Sequence, residues 1–179
     1  MRKTGQMVSA ELMVAYIVFT IVLIIVVYLW GSVVFDILAA EDLSDIEGAA
    51  VDVSENLVRT AGIPENWSRA DVKTIGLCNS SRNINEDKLS DFIYMMNTSL
   101  YNNSCGGGIS NYECNKHLTG IGNYDFYFAM EYINDSTLSL RGIPCTTGMR
   151  PSQDTKKVTM VRTSQLNMTI VRIRLTVWK

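Results

Sequence analysis

The distribution of apolar residues singles out one stretch near the amino end. Nineteen uncharged residues, Leu12 to Trp30, place apolar side chains at every angle around a helix. At about 1.5 Å per residue this run spans roughly 28 Å, which matches the hydrocarbon core of a bilayer. Its one hydroxyl outside the tyrosines, Thr20, can bond back to a helix carbonyl. The run therefore predicts a helix that crosses a membrane.

Beyond this run the helical period continues, but only one side of the helix stays apolar. Five apolar residues recur at spacings of three and four: Leu43, Ile46, Ala50, Val53 and Leu57. Such spacing is typical of an amphipathic helix whose stripe packs on a core. Gly62 and Pro64 are suited to end the helix. We predict one long helix over residues 6–61, in which residues 12–30 form the membrane segment.

After residue 62 the apolar period changes from about 3.6 to two, which is typical of strands. Strands are predicted at 72–77, 124–133, 138–141, 156–163 and 167–178, with residues 164–166 as a hairpin loop. Asn85 can cap a short helix over residues 86–96, and residues 97–122 are predicted to form a long loop. The expected fold is α+β: a long amino-terminal helix packed on a small antiparallel sheet, with residues 62–179 as a head domain.

The charges are arranged asymmetrically, although the net charge is only -2. Arg2 and Lys3 precede the apolar run, whereas seven acids and no base lie between Asp36 and Glu55. The positive flank of a membrane helix stays in the cytoplasm, so the head is expected outside the cell. Eight bases and one acid lie from residue 141 to the end. They are spread along strands without stacking aromatics, so we expect no nucleic-acid partner but a solvated face or a contact with a neighbour's acidic helix.

The cysteines and the sequons both agree with an external head. Four cysteines lie in it: Cys78, Cys105, Cys114 and Cys145. They are even in number and contain no Cys-X-X-Cys pair, which favours disulfides over zinc. Of the three possible pairings, Cys105 with Cys114 closes the shortest loop and leaves Cys78 with Cys145.

Six Asn-X-Ser/Thr sequons also lie in the head, where chance predicts about 2 from 13 Asn and 29 Ser and Thr. Their asparagines are Asn66, Asn79, Asn97, Asn102, Asn134 and Asn167. Because sequons are acceptors only on an exported face, we expect a glycosylated surface.

The residues that common enzyme sites require are not present in a recognisable pattern. His117 is the only histidine, which excludes metal sites with several histidine ligands. The run Gly106 to Gly108 is not followed by the Lys and Ser or Thr of a phosphate-binding loop. We therefore expect no catalytic residues, no metal and no cofactor.

The amino end has the pattern of a processing signal. Arg2 and Lys3 precede Gly5, and the run Gln6 to Glu11 leads directly into the apolar helix. It resembles the archaeal type IV pilin-like proteins with class III signal peptides, whose motif is Gln-X-Ser-X-Glu, although this run is one residue longer. Shorter stretches of the head, among them GIPENW and YDFYF, are also similar to that group. The resemblance implies cleavage after Gly5, with cleavage after Gln6 as the alternative, so that residues 1–5 or 1–6 form a leader.

The resemblance also implies a function and a set of partners. The expected fold is type IV pilin-like, and the expected function is that of a structural subunit of a pilus. Its partners would be copies of itself or other pilins, a prepilin peptidase, an assembly platform protein and an ATPase. Glu11 would pair with the terminal amine of a neighbouring subunit. The alternative is a single-pass, membrane-anchored binding module or minor pseudopilin that never polymerises.

Overall fold

The computed structural model describes residues 10–80, 82–102 and 105–179. Helix α1 runs through Ala10–Arg59 without a break at Gly31 or Gly48. The chain forms two compact units, the first ending at Asp42 and the second comprising Leu43–Lys179. The boundary between these two units lies inside α1, because the apolar stripe of the helix belongs to the core of the second unit.

The described residues of the second unit form short helices and ten strands. Where the structure describes the chain after α1, the helices are α2 (Glu86–Met95), α3 (Asn111–Asn115) and a 3₁₀ helix (Lys116–Thr119). The strands are β1 (Gly62–Ile63), β2 (Thr74–Ile75), β3 (Cys78–Ser80), β4 (Asn83–Ile84), β5 (Asp125–Tyr132), β6 (Ser139–Leu140), β7 (Ile143–Pro144), β8 (Thr146–Gly148), β9 (Lys157–Leu166) and β10 (Thr169–Trp178). The predicted helix at residues 86–96 is present, and the Asn85 side chain caps it by accepting from the Lys88 amide.

Six strands form the main sheet in the order β3-β4-β9-β10-β5-β8. The predicted antiparallel sheet is present in part: β9, β10, β5 and β8 pair antiparallel, whereas β4 pairs in parallel with β9. Two further pairs, β1 with β2 and β6 with β7, form small separate sheets. The predicted hairpin loop at residues 164–166 is also misplaced: β9 continues to Leu166, and Asn167 and Met168 make the turn with positive φ values of 46° and 66°.

The core lies between the sheet, α2 and the carboxyl-terminal part of α1. Four predicted stripe residues are buried, Ile46, Ala50, Val53 and Leu57, whereas Leu43 remains 44% exposed. On β10 the alternation holds as predicted, since Val171, Ile173, Leu175 and Val177 are fully buried. From α2, Phe92 meets Phe128 edge to face with ring centroids 5.1 Å apart.

The segment predicted as a long loop contains α3 and the 3₁₀ helix. Its anchor is Tyr112, which is fully buried. The Tyr112 hydroxyl donates to Asp125 Oδ1 at 3.0 Å and accepts from the Phe126 amide at 2.9 Å. Burial, reinforced by the Asp125 carboxylate, raises the pKa of this phenol. One aromatic side chain thus fastens an otherwise polar segment to β5.

Lys88 is a buried cation that sequence analysis did not single out. Its side chain is 5% exposed, and its Nζ donates to the carbonyls of Ala61, Glu65 and Cys78 at 2.8, 2.6 and 3.2 Å. Burial lowers the pKa of the ammonium, while the nearby Glu65 carboxylate opposes that shift. Lys88 therefore ties α2 to the segment that follows α1 and to β3.

Replacing Lys88 with methionine should destabilise the head by about 2–4 kcal/mol, since three carbonyls lose their donor. Urea unfolding of the detergent-solubilised chain, followed by tryptophan emission, measures this change. Lys157→Met is the matched control, because Lys157 is exposed on β9. Equal midpoints for the two variants would show that the three hydrogen bonds contribute nothing to stability.

Candidate functional site

The apolar segment of α1 is the most unusual surface of the described chain. Every large apolar side chain from Leu12 to Trp30 is between 49% and 75% exposed. The most apolar stretch of 18 residues in this helix has a mean hydropathy of 3.0, and none of that stretch is buried. Exposed apolar side chains continue to Leu38. By length and composition, α1 can cross a membrane.

The cost of leaving this surface in water is large. Burying one large apolar side chain is worth about 1.5–3 kcal/mol, so the whole segment represents tens of kcal/mol. Thr20 does not oppose burial, since its hydroxyl donates to the Tyr16 carbonyl at 2.8 Å. Either lipid or other apolar helices can shield such a surface from water.

Glu11 is the one acidic or basic residue among Ala10 to Trp30. It lies in the first turn of α1, where the helix dipole favours a carboxylate. The side chain is exposed and stands directly before the apolar segment. The two predicted cleavage residues, Gly5 and Gln6, lie outside the described residues, so the structure does not relate them to Glu11.

After the apolar segment the exposed face of α1 is acidic. The exposed acids are Asp36, Glu41, Asp42, Asp45, Glu47 and Asp52. Glu55 differs because it is half-buried against the sheet, and its carboxylate meets Arg162 at 2.9 Å and Arg59 at 2.5 Å. Along the 50 residues of α1, the surface is therefore first apolar, then acidic, and finally packed against the sheet.

The bases near the carboxyl end mostly find partners within the head. Arg172 pairs with Asp135, and Arg174 meets Glu131 at 3.0 Å. Arg162 meets Glu55, and Arg141 meets Glu86 at 3.9 Å and Asp87 at 3.7 Å, so four of the eight bases form ion pairs inside this unit. Lys156 and Lys157 are exposed. These internal ion pairs therefore neutralise part of the basic run.

One cleft opens on the head between α2 and the β6–β7 hairpin, with a volume of about 320 Å³. Ile93, Leu100 and Leu140 form much of its apolar wall. Arg69 at its rim stacks on the Tyr94 ring at 4.1 Å and pairs with Asp91 at 2.5 Å. The guanidinium is thereby already neutralised, which leaves the cleft mainly apolar.

The cysteines take two different states. Cys105 and Cys114 form a disulfide, whereas Cys78 and Cys145 are free and fully buried. The pairing of Cys78 with Cys145 is therefore wrong. The Cys78 thiol on edge strand β3 donates to the Val58 carbonyl at 3.0 Å. Cys145 instead precedes β8, at the opposite edge of the sheet, where its amide donates to Leu138 at 2.8 Å.

Burial raises the pKa of both free thiols, that of Cys145 to about 11. A buried thiol with a raised pKa is unreactive, because the thiolate is the attacking species. These two cysteines therefore act as apolar core residues.

Alkylation should distinguish the two states. In concentrated guanidinium without reductant, iodoacetamide should add two groups per chain, at Cys78 and Cys145, and four after reduction. The native chain should take up none, since both thiols are inaccessible. Intact mass gives the number of added groups, and peptide mapping gives the cysteines that carry them. No label before reduction would mean that Cys78 and Cys145 are paired, and four labels would mean that the Cys105–Cys114 bond is absent.

The sequons are all on the head, at sites of different exposure. Asn66, Asn79, Asn134 and Asn167 are exposed, whereas Asn97 and Asn102 are half-buried. Within the described residues, no group of three or more His, Cys, Asp and Glu side chains is arranged to hold a metal ion.

No family model matches the chain, and neither any curated protein nor any solved structure matches it. The function proposed below therefore rests on the chain's own sequence and geometry.

Proposed function

We propose that this chain is a structural subunit of an archaeal type IV-like pilus, assembled through its amino-terminal apolar helix. The observation that carries the proposal is the exposed apolar segment Leu12 to Trp30, with a single carboxylate, Glu11, in the first turn before it. The same helix continues to Arg59, where its stripe forms part of the core of the head. A simple anchor needs the membrane segment, but it does not need the carboxylate or the continuous stripe.

Processing precedes assembly in this proposal. A prepilin peptidase cuts after Gly5, or alternatively after Gln6, at the cytoplasmic face. After the first cut Glu11 is the sixth residue of the mature chain, and after the second it is the fifth. The subunit then waits in the membrane as a single-pass protein, with its new terminus at the cytoplasmic side and the head outside.

Assembly then exchanges lipid for protein around the same apolar surface. An assembly platform protein and a cytoplasmic ATPase extract the subunit, and its apolar helix packs against those of neighbouring copies or other pilins. Because both environments are apolar, extraction does not expose the segment to water at equilibrium. An interface between different faces of identical subunits does not close on itself and so builds a filament.

In this scheme, the carboxylate of Glu11 sets the register between neighbouring subunits. An unpaired carboxylate inside an apolar core is costly, whereas pairing with the terminal amine of a neighbouring subunit offsets that cost. Any shift in register would leave both charges without a partner. The pairing thus selects one position for each incoming subunit.

Fractionation of cells tests the proposal. Shearing should release the chain with extracellular filaments, and antibody against the head should decorate those filaments along their length in electron micrographs. Recovery of the chain only from the membrane fraction, under conditions where other surface filaments are sheared off, would favour an anchored module that does not polymerise.

A further inference from the structure

A tight turn follows strand β5 and presents one sequon in an ordered form. The Tyr132 amide donates to the Ser136 carbonyl at 2.9 Å, and Asp135 adopts a positive φ of 65°. Arg172 pairs with Asp135 and also donates to the Ile133 carbonyl at 3.1 Å, so the turn is tied to β10. Its three sequon residues, Asn134, Asp135 and Ser136, are exposed.

Within this turn the two groups that define a sequon meet. Asn134 Oδ1 accepts from the Ser136 hydroxyl at 2.7 Å and from the Ser136 amide at 3.2 Å. The hydroxyl and the asparagine amide therefore face the same side of an exposed turn. A transferase can reach both groups without unfolding the head.

The other sequons are presented differently. Four sequons have all three residues described, and of these Asn134 is the one whose own serine or threonine hydroxyl donates to its amide oxygen. The Ser68 hydroxyl beside Asn66 donates to Asp71 at 2.8 Å instead. Asn97 is half-buried. The Asn167 amide nitrogen, which would have to react, donates to Glu86 Oε2 at 3.0 Å.

The surface beside Asn134 exposes three large apolar side chains, which is independent of the hydrogen bonds in the turn. Ile133, Met168 and Ile170 are 62%, 92% and 54% exposed. The antiparallel pairing of β10 with β5 ends at Val171 and Tyr132, so Ile170 and Ile133 lie directly beyond its last pair. Together they form an apolar tip at one end of the sheet. Contiguous apolar surface on a soluble head promotes association unless something covers it, and a glycan is bulky and solubilising.

We propose that Asn134 is the preferred acceptor of an N-linked glycan, which covers the apolar tip formed by Ile133, Met168 and Ile170. The inference rests on the export of the head in the proposed function. In the transfer step, Asn134 Nδ2 forms a bond to the anomeric carbon of a sugar carried on a lipid phosphate. The bond from that carbon to the phosphate oxygen breaks, the phosphate leaves with the electron pair, and a base of the transferase takes the amide proton.

Peptide mass mapping of the full chain, taken from the cells that produce it, tests this assignment. Trypsin releases residues 117–141, which contain Asn134 as their one sequon, and residues 163–172, which contain Asn167 as theirs. The first peptide should carry the added mass of a glycan, and the second should be found mostly at its unmodified mass. Ser136→Ala should return the first peptide to its unmodified mass, while Ser136→Thr should keep the glycan. Ser139→Ala is the matched control, because Ser139 is an exposed serine in the same peptide outside any sequon.

Two results would overturn the assignment: an unmodified first peptide from the native chain, or a glycan retained at Asn134 in Ser136→Ala. The outcome is separable from the proposed function. Sheared filaments that contain an unmodified first peptide would disprove the acceptor and leave the pilus subunit intact. A glycosylated first peptide from a chain that never leaves the membrane would disprove the pilus subunit and leave the acceptor intact.

Discussion

Ile173→Asp should unfold the head, with a loss of more than about 4 kcal/mol of folding stability. Ile173 is fully buried in β10, a strand inside the main sheet with β9 on one side and β5 on the other. The substitution removes apolar contacts and introduces a carboxylate among the buried apolar side chains of Val171, Leu175 and Val177 on the inner face of β10. Membrane insertion should be unchanged, since α1 from Ala10 to Asp42 belongs to the other compact unit.

Tryptophan emission of the detergent-solubilised chain in urea measures this effect, because Trp67 and Trp178 are buried in the head. Ile170→Asp is the matched control: it lies on the same strand but is 54% exposed. Its unfolding midpoint should stay within about 0.5 kcal/mol of the native chain. A native midpoint for Ile173→Asp would show that β10 is not the centre of the head.

Glu11→Gln should abolish filaments while leaving the protein in the membrane. The substitution keeps the shape of the side chain and removes its charge. In the proposed filament core, the terminal amine of a neighbour would then lose its partner, which costs about 3–5 kcal/mol for a buried pair. Since each 1.4 kcal/mol is a factor of ten, sheared filament should fall at least about a hundredfold.

Glu41→Gln is the matched control for Glu11→Gln. Glu41 is an exposed carboxylate on the same helix, beyond the apolar segment, and its neutralisation should leave filament yield near that of the native chain. Quantitative immunoblots of the membrane and sheared fractions compare the three chains. Abundant filaments from Glu11→Gln would mean that this carboxylate does not set the register.

Sequence patterns predicted the parts of the fold in which one period decides which side chains are buried. The stripe Ile46 to Leu57 and the alternation Val171 to Val177 are both found buried, because each period fixes a single face of its element. Leu43 departs from the stripe because it is the first residue of the second compact unit, where the core is not yet formed around the helix.

The parts that failed depend on contacts between distant residues. The parallel pairing of β4 with β9 joins Asn83 to Gln165, and nothing in either short segment specifies that partner. The pairing of Cys78 with Cys145 follows only by elimination, but Cys78 lies in β3 and Cys145 directly precedes β8, at opposite edges of the sheet. Lys88 has the sequence context of an ordinary residue in the first turn of a helix, so only the folded chain reveals its three carbonyl partners.

The candidate functional residues also fall into two groups: those predicted from the sequence and those recognised only in the folded chain. The apolar segment and Glu11 were found from sequence, because uninterrupted hydrophobicity and a single charge are local properties. The choice of Asn134 among six sequons needed the folded turn, since the hydroxyl contact and the apolar tip depend on how β5 and β10 are paired.

The most direct test of the central claim is the amino-terminal sequence and intact mass of the chain recovered from sheared filaments. The account predicts a chain that begins at Gln6 or Met7, carries the Cys105–Cys114 disulfide and is present as a repeating component of the filament. A chain that retains Met1 and is found only in the membrane fraction would contradict the account and identify the protein as a membrane anchor.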